Sequence, residues 1–355
     1  MTMLELRSPV GAFEAIEAWL RERGFFAPGG EELCADLFLG YGLSEPLRRR
    51  SSPSPPEPCP ALPLAACRIR SGPSNTVLQS RFSVGTWEPT WTAAEYADAV
   101  EAVRAAIARG DVYQVNLVQH LEAAFRGDPA GLAARLASLR PLAPTPFVGD
   151  GWAVVSASPE LFLERRGRLV RTCPIKGTRP AGERDDLRES PKDAAEHVMI
   201  VDLERNDLSR VCEPGSVGWP SLMASRRLAG VEHLVSTVEG TLRDDVGLAE
   251  LLAATFPGGS VTGAPKLAAL DLIAELEPVG RGAAMGALGR VWGTGDLELA
   301  LTIRTFAVAE GRIHLWVGGG VVWDSEPAAE VEESLTKAAP LLAAIGAPLP
   351  APVAL

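Results

Sequence analysis

The stretch Thr92–Gln119, TAAEYADAVEAVRAAIARGDVYQVNLVQ, places a helical pattern directly before a strand pattern. Thr92 and Glu95 have the spacing of a capping box, in which two side chains satisfy free backbone N–H groups at the start of a helix. Apolar residues then recur on one helical face, and Gly110 is a typical residue at a helix end. Those apolar positions are Tyr96, Val100, Val103 and Ile107. The following DVYQVNLVQ alternates between two faces, which predicts a strand.

Further strands and helices follow without a regular strand–helix alternation. WAVVSAS and LFLERRGRLVRTCPI read as strands, and HLWVGGGVV reads as a strand before a final helix near Ser325. Ser190 is placed to cap a long helix that runs to about Leu208, with Pro191 in its first turn. LAALDLIAELE predicts another helix, after the glycine-rich turn FPGGSVTGAPK. Helices mixed with pairs of strands favour an α+β fold class over a doubly wound sheet.

The first ninety residues carry weaker signals. Residues 11–24 have helical apolar spacing, and residues 51–63 are rich in Ser and Pro, which predicts a loop. We therefore expect residues 1–90 to form a short N-terminal part of the same globular unit. Residues 91–345 then form the main domain.

Composition excludes several classes of protein. A net charge of -11 is unsuited to a nucleic-acid surface. Because no run of eighteen apolar residues occurs, we expect no membrane-spanning helix, and the N-terminus lacks the pattern of a signal peptide. The five cysteines form no CxxC pair, so neither a disulfide framework nor a cysteine zinc site is expected. These features predict a cytoplasmic protein.

Two helical segments carry carboxylates at helical spacing. Asp193 and Glu196 share one face, and Glu330 and Glu333 share another, with Lys337 on the same stripe. Two such faces, if they meet, offer the oxygen ligands that Mg²⁺ prefers. The alternative is a solvated acidic face, which is the commoner meaning of this spacing.

Three further features have both a structural and a chemical interpretation. FPGGSVTGAPK could bind an anion through N–H groups at a helix start or could be a structural turn, and it is not a Walker A loop. Lys176, in CPIKGTRP, is either an exposed turn residue or a desolvated nucleophile. His233 is the best candidate for acid–base work, although a core histidine is the default interpretation. Neither GxSxG nor GxCxG occurs, so the chain shows no sign of releasing ammonia from glutamine.

In their order along the chain, these segments resemble the chorismate-utilising enzymes. The resemblance spans about Trp91 to Ala339. It implies an α+β fold of two packed antiparallel sheets flanked by helices, with the site in a central cleft. The matching segments are GDVYQVNL, SASPELFL, PIKGTRP, KDAAEHVMIVDLERNDLSRV, VEHLVSTVEG, FPGGSVTGAPK, LTIRTF and GGGVVWDSEPAAEVEESLTKA.

The resemblance also implies roles for individual residues. Glu160 resembles the general acid that protonates the departing 4-hydroxyl of chorismate, and His233 is expected close to the ring. A second group is expected to hold Mg²⁺ as the cofactor: Glu196, Glu333, Asp193 and Glu330. A third is expected to bind the substrate: Gln114, Ser260, Gly263, Arg304, Gly318, Gly320 and Lys337. One departure is Ala284 in RGAAMG, where relatives often carry a tyrosine that touches the substrate.

Two positions distinguish branches of the family. A lysine that activates water stands at the place of Gln114 in isochorismate and salicylate synthases, so water addition is disfavoured here. Lys176 stands where anthranilate synthases have alanine, and PIKGT is similar to the aminodeoxychorismate synthases. The resemblance therefore implies amination of chorismate at C4, on the route to p-aminobenzoate and folate. A separate glutamine amidotransferase subunit is the expected partner. The alternatives are an anthranilate synthase component and a non-catalytic scaffold.

Overall fold

The computed structural model describes residues 3–50, 52–70, 80–180, 191–228 and 231–349. Within these ranges, only the backbone is described for residues 178–180, 191–193, 227–228 and 231–233. The α-helices of this part of the chain are α1 (Ala12–Arg21), α2 (Ala93–Ala108), α3 (Pro129–Leu136), α4 (Pro191–Ser209), α5 (Leu248–Thr255), α6 (Lys266–Leu276) and α7 (Pro327–Ile345).

Strands make up much of the rest of the described chain. They are β1 (Met3–Leu6), β2 (Cys34–Leu39), β3 (Ala65–Ile69), β4 (Phe82–Val84), β5 (Glu88–Pro89), β6 (Gln114–Gly127), β7 (Phe147–Val148), β8 (Trp152–Ser156), β9 (Leu161–Arg166), β10 (Leu169–Cys173), β11 (Ile175–Pro180), β12 (Gly218–Leu228), β13 (Val231–Thr241), β14 (Gly263–Ala264), β15 (Ala287–Trp292), β16 (Leu297–Leu301), β17 (Thr305–Ala309) and β18 (Arg312–Val321).

The described strands form two antiparallel sheets. The larger sheet has the order β1-β3-β2-β15-β16-β9-β10-β13-β11, and β12 also pairs with β13. The smaller sheet has the order β14-β6-β18-β17-β8-β7, and β4 and β5 pair with β6. In the smaller sheet Gly318 lies opposite Val118, and Gly320 lies opposite Asn116. This register places the glycines of β18 beside the start of β6.

The main core lies between the two sheets. Leu37, Leu163 and Leu299 of the larger sheet share one buried cluster with Val154 and Trp316 of the smaller sheet. Because side chains on a strand alternate between faces, the other face of the smaller sheet is free to pack against helices. Two smaller clusters lie there, one with α3 and α7 and one with α2 and α6. The predicted fold class, two packed antiparallel sheets flanked by helices, is confirmed.

Most predicted elements are present, with changes at their ends. The capping box before α2 is confirmed, because Glu95 N donates to Thr92 Oγ1 at 3.2 Å and Thr92 N donates to Glu95 Oε2 at 2.8 Å. The strand after Gly110 begins at Gln114, leaving Tyr113 exposed, and it runs much farther than predicted. The predicted turn FPGGSVTGAPK contains one turn of 3-10 helix, Gly259–Val261, and the short strand β14.

Two whole-chain expectations concern cysteines and membranes. All five cysteines are unpaired in the structure. Among the described residues, none of the helices combines the length and the apolar character needed to cross a bilayer. The first three strands join the larger sheet, while the division of the chain at residue 90 stays a prediction.

Candidate active site

Glu160 is a buried carboxyl in the segment that joins β8 to β9. Its side chain is 4% exposed, and Ser260 Oγ donates to Glu160 Oε1 at 2.7 Å. Burial raises the pKa of Glu160, and this effect outweighs the hydrogen bonds from Ser260 and the Ile175 N–H and the charges of Lys176 and Arg304, which lower the pKa. A carboxyl with a raised pKa can hold a proton and donate it.

Lys176 lies on β11, opposite Leu234 of β13, and is half-buried. Its positive charge lowers the pKa of two buried groups, Glu160 and His197. An ammonium in bulk water would have little effect on such groups because of solvent screening. Lys176 therefore lies near Glu160, to which the neighbouring Ile175 N–H donates a hydrogen bond.

His197 is a histidine that the sequence interpretation missed. It is fully buried on α4, and its Nε2 lies 2.6 Å from Ser236 Oγ. Burial, with the charge of Lys176, lowers the pKa of His197 to about 4, so the imidazole is neutral at neutral pH. The side chain of the predicted His233 lies outside the described residues; its backbone pairs with Thr178 and Arg226. The position of His197 directly after Glu196 is the signal that could have found it.

Glu204 and Asp207, farther along α4, form a second acidic layer that was also missed. Burial, reinforced by the charge of Glu160, raises the pKa of Glu204 to about 8. Thr172 Oγ1 donates to Glu204 Oε2 at 3.1 Å, and Lys266 Nζ donates to Asp207 Oδ2 at 2.5 Å. Glu204 follows Glu196 by eight residues, about two helical turns, so the two share a face. That spacing was readable in the sequence.

Arg304 brings a second cation to the surroundings of Glu160. Its backbone has φ of 50°, and its carbonyl accepts a hydrogen bond from Ala157 N at 2.9 Å. Burial lowers the pKa of Arg304, and the opposing charge of Glu160 raises it. Arg304 and Lys176 are two cations near Glu160, which suits an anionic substrate in a protein of negative net charge.

Three charged side chains of α7 converge on Gly319. A Cβ at Gly319 would lie 3.3 Å from Glu330 Oε2, 3.3 Å from Glu333 Oε1 and 3.1 Å from Lys337 Nζ. Lys337 Nζ also donates to the Gly318 carbonyl at 3.0 Å and lies 2.7 Å from Glu333 Oε1. Ser325 Oγ donates to Glu330 Oε1 at 2.6 Å, which orients this buried carboxyl. Because Gly319 has no side chain, these groups can approach the strand.

The donor set near Gly319 suits Mg²⁺. Carboxylate oxygens are the ligands this ion prefers, and Glu330 and Glu333 point such oxygens at one glycine. Glu196 is half-buried on α4, and the side chain of Asp193 on the same helix lies outside the described residues. The residues present could hold the ion.

Gln114 and two glycines connect the Glu160 region with the Gly319 region. Gln114 is 1% exposed, and its Nε2 lies 2.0 Å from where a Cβ on Gly320 would stand. Gly263 has φ of 147°, and a Cβ there would lie 2.2 Å from the Gln114 carbonyl oxygen. Gly263 and Ala264 pair with Val115 and Gln114, so the turn that contains Ser260 leads directly to the start of β6. A side chain at either glycine would separate these elements.

Two known proteins similar to this chain carry different names. Anthranilate synthase component 1 of Streptomyces coelicolor is 42% identical over 273 residues, which cover 73% of this chain and 53% of that protein. Aminodeoxychorismate synthase component 1 of Klebsiella aerogenes is 42% identical over 260 residues, covering 71% of this chain and 58% of that protein. The chain thus spans little more than half the length of these curated relatives.

A solved structure and a family model agree with these relatives. The crystal structure of anthranilate synthase component I from Streptococcus pneumoniae superimposes with a TM-score of 0.77 at 27% identity, covering 86% of this chain and 80% of that one. The family model described as chorismate binding enzyme matches residues 51–343. This match extends farther toward the N-terminus than the segments recognised in the sequence. The chain belongs to the chorismate-binding enzyme family.

Proposed function

We propose that this chain is the chorismate-aminating component of an aminodeoxychorismate synthase, which converts chorismate and ammonia to 4-amino-4-deoxychorismate and water. The observation that carries the proposal is that the N–H of Ile175, directly before Lys176, donates to the buried Glu160, whose pKa the charge of Lys176 lowers. The names of the relatives do not choose between products, because one relative of each name is 42% identical to this chain. Lys176 supports the aminodeoxychorismate product, since the anthranilate reaction needs no protein nucleophile.

Lys176 and Glu160 divide one displacement into two steps. The Lys176 nitrogen attacks C2 of the ring with its electron pair, the two conjugated ring double bonds each move one position toward C4, and the C4–O bond breaks. Glu160 gives its proton to the departing hydroxyl, which leaves as water. Ammonia then attacks C4, both double bonds shift back, and the C2–N bond to Lys176 breaks. The lysine nitrogen passes one proton to Glu160 after it bonds to C2 and takes one from the incoming ammonia as it leaves, so both groups return to their starting states.

The other residues hold and orient the substrate. Arg304 and Lys337 would bind carboxylates of chorismate, and the guanidinium fork suits a bidentate contact. Glu196 and Glu333, with Asp193 and Glu330, would hold Mg²⁺. When bound, this ion supplies a positive partner for the ring carboxylate. Gln114 fits this function, because an amide side chain cannot act as a base toward water.

Ammonia comes from a second protein in this proposal. The nucleophile motifs GxSxG and GxCxG do not occur in this sequence. The relatives bear the name component 1, which fits an enzyme that has another component. We propose a glutamine amidotransferase subunit as that partner, with added ammonium salt replacing it in vitro.

Lys176→Met tests the assignment of the product. The full chain is incubated with chorismate, Mg²⁺ and ammonium salt, and the product is identified by mass spectrometry. We expect 4-amino-4-deoxychorismate from the wild type. We expect at least a hundredfold loss of that product from Lys176→Met, because a covalent route is removed. Lys176→Arg is the matched control for charge, since it keeps a cation near Glu160 but is not a comparable nucleophile, and it should lose the product equally.

A second readout looks for the covalent step itself. Wild-type protein with chorismate and no ammonia should gain the mass of chorismate minus water on the peptide that contains Lys176. Full-rate formation of 4-amino-4-deoxychorismate by Lys176→Met would contradict the role of the lysine. Anthranilate as the wild-type product would favour the second candidate function, which the Streptomyces coelicolor relative represents. Absence of any turnover of chorismate would favour a scaffold.

A further inference from the structure

Two histidines and a glutamate meet on the smaller sheet, at a place that the proposed reaction does not use. His120 and Glu122 lie on β6, and His314 lies on β18 directly opposite Glu122. Residues two apart on a strand share a face, so all three side chains point to the same side of the sheet. One ligand atom from each residue lies within 4.8 Å of the other two.

The distances between these atoms suit a single metal ion. His120 Nε2 lies 3.0 Å from His314 Nδ1, and His314 Nδ1 lies 3.7 Å from Glu122 Oε2. Two nitrogens on a tetrahedral zinc ion stand roughly 3.3 Å apart, given bonds of about 2.0–2.1 Å. The distance between the two ring nitrogens is therefore within a few tenths of an ångström of the distance in such a site.

Neighbouring residues orient two of the ligands. Thr90 Oγ1 lies 2.7 Å from His120 Nδ1, which leaves Nε2 of the same ring turned toward His314. The Arg312 guanidinium donates a hydrogen bond to Oε1 of Glu122, which leaves Oε2 turned toward His314. Outer hydrogen bonds of this kind are typical of metal-binding histidines and carboxylates. They hold the ring and the carboxylate in place before any ion arrives.

Burial and access also fit a metal site. His120 and His314 are 3% and 2% exposed, and burial lowers their pKa values to about 3 and about 4, so both rings are neutral, as ligands must be. The Glu122 side chain is 32% exposed, which gives an ion a path from solvent. His314 and Gly318 are four residues apart on β18, roughly 13 Å along the strand. The cluster is therefore separate from the carboxylates near Gly319.

We propose that His120, Glu122 and His314 bind one divalent transition-metal ion of the zinc class, with an open fourth position for water. Two imidazoles and one carboxylate suit Zn²⁺ and its neighbours, whereas Mg²⁺ prefers oxygen ligands alone. Binding replaces the hydrogen bond between the two rings. The ring nitrogen that carries the proton of this hydrogen bond passes it to the other nitrogen of its own ring, so both rings stay neutral and no net proton is released.

Zn²⁺ titration of the full chain tests the proposal. The protein is freed of metal with a chelator, dialysed into millimolar Mg²⁺, and titrated with zinc chloride by calorimetry, with bound zinc counted by elemental analysis. We expect one Zn²⁺ per chain. His314→Asn and Glu122→Gln should weaken binding by at least about a hundredfold, and Thr90→Val by about tenfold to a hundredfold, as for other outer partners. His197→Asn is the matched control, a buried histidine elsewhere, and should bind as the wild type does.

One of these variants and one further measurement guard against misleading results. Glu122→Gln alters a half-exposed side chain, so it carries the test if a histidine variant fails to fold. Co²⁺ added in place of Zn²⁺ should give a visible spectrum of nitrogen and oxygen ligation without a thiolate charge-transfer band. A thiolate band, no stoichiometric zinc on the wild type, or equal affinity in Glu122→Gln and wild type would each overturn the proposal.

Discussion

At the scale of single residues, the proposed reaction depends on how Glu160 holds its proton. Burial raises the pKa of this carboxyl, while the Ser260 hydroxyl and the charge of Lys176 favour the ionised form. The result is a buried carboxyl with a raised pKa near a half-buried lysine. A general acid must be protonated before reaction, so activity should fall as the pH rises through the pKa of Glu160.

Ser260→Ala should shift this fall in activity, the alkaline limb of the pH profile, to higher pH. The Ser260 hydrogen bond stabilises the carboxylate and lowers the pKa of Glu160, so its removal raises the pKa and keeps the acid protonated longer. The measurement is kcat/KM for chorismate against pH, with the concentration of free ammonia held constant. Glu160→Gln should lose the limb and about 10²–10⁴ in rate. Ser209→Ala, at the exposed end of α4, serves as the control. If the alkaline limb of Ser260→Ala lies at the same pH as that of the wild type, Glu160 is not the acid.

At the scale of elements, β18 pairs with β6 and is also approached closely by side chains of α7. A Cβ on Gly318 would lie 1.9 Å from the Leu117 carbonyl oxygen, a distance that requires the backbone to move. The Gly318 carbonyl also accepts the bond from Lys337. The glycines thus let one strand pair tightly with β6 and receive α7 at the same place.

Gly318→Ala should therefore destabilise the protein by about 1–3 kcal/mol, the usual cost of overpacking. The matched control is Gly218→Ala on β12, where a Cβ would meet nothing within 4 Å. That change should stay within about 0.5 kcal/mol of the wild type. Urea unfolding followed by circular dichroism measures both, and equal stabilities of the two variants would show that the close approach at Gly318 is relieved without cost.

At the scale of the whole molecule, one buried ion pair joins the parts that make the site. Arg281 is 1% exposed and donates to Glu277 and to the carbonyls of Val261, at 2.8 Å, and Asn116, at 2.6 Å. Glu277 Oε1 also accepts from Val118 N at 3.0 Å. The pair therefore fixes the end of α6, the start of β6 and the turn of Ser260 relative to one another.

Arg281→Met should cost about 3–5 kcal/mol, because it leaves a buried Glu277 without its partner. Adding Glu277→Leu to the same chain should recover part of this loss, since an apolar pair of similar volume needs no charge partner. The exposed pair Arg205–Asp202 gives the contrast, and Arg205→Ala should cost less than about 1 kcal/mol. Urea titration measures the free energy of unfolding of the wild type and of each variant. A double variant that is less stable than Arg281→Met would contradict this prediction.

The local elements and the family were readable from the sequence because they depend on neighbours along the chain. Capping, helical periodicity and strand alternation are set within a few residues, which is why α2 and the strand after Gly110 were predictable. The ordered motifs likewise identified Glu160 and Lys176 as candidates. The end of β6 was not predictable, because its length is set by the strands that pair with it.

The tertiary structure alone decided which distant residues meet and how water is excluded from them. Glu204 acquires a pKa of about 8 because it is buried near Glu160, and no spacing in the sequence states that burial. His120 and His314 are 194 residues apart and meet through the register of β6 and β18. Long-range pairing and desolvation depend on the packing of the whole chain, whereas the sequence by itself determines only the elements that are packed.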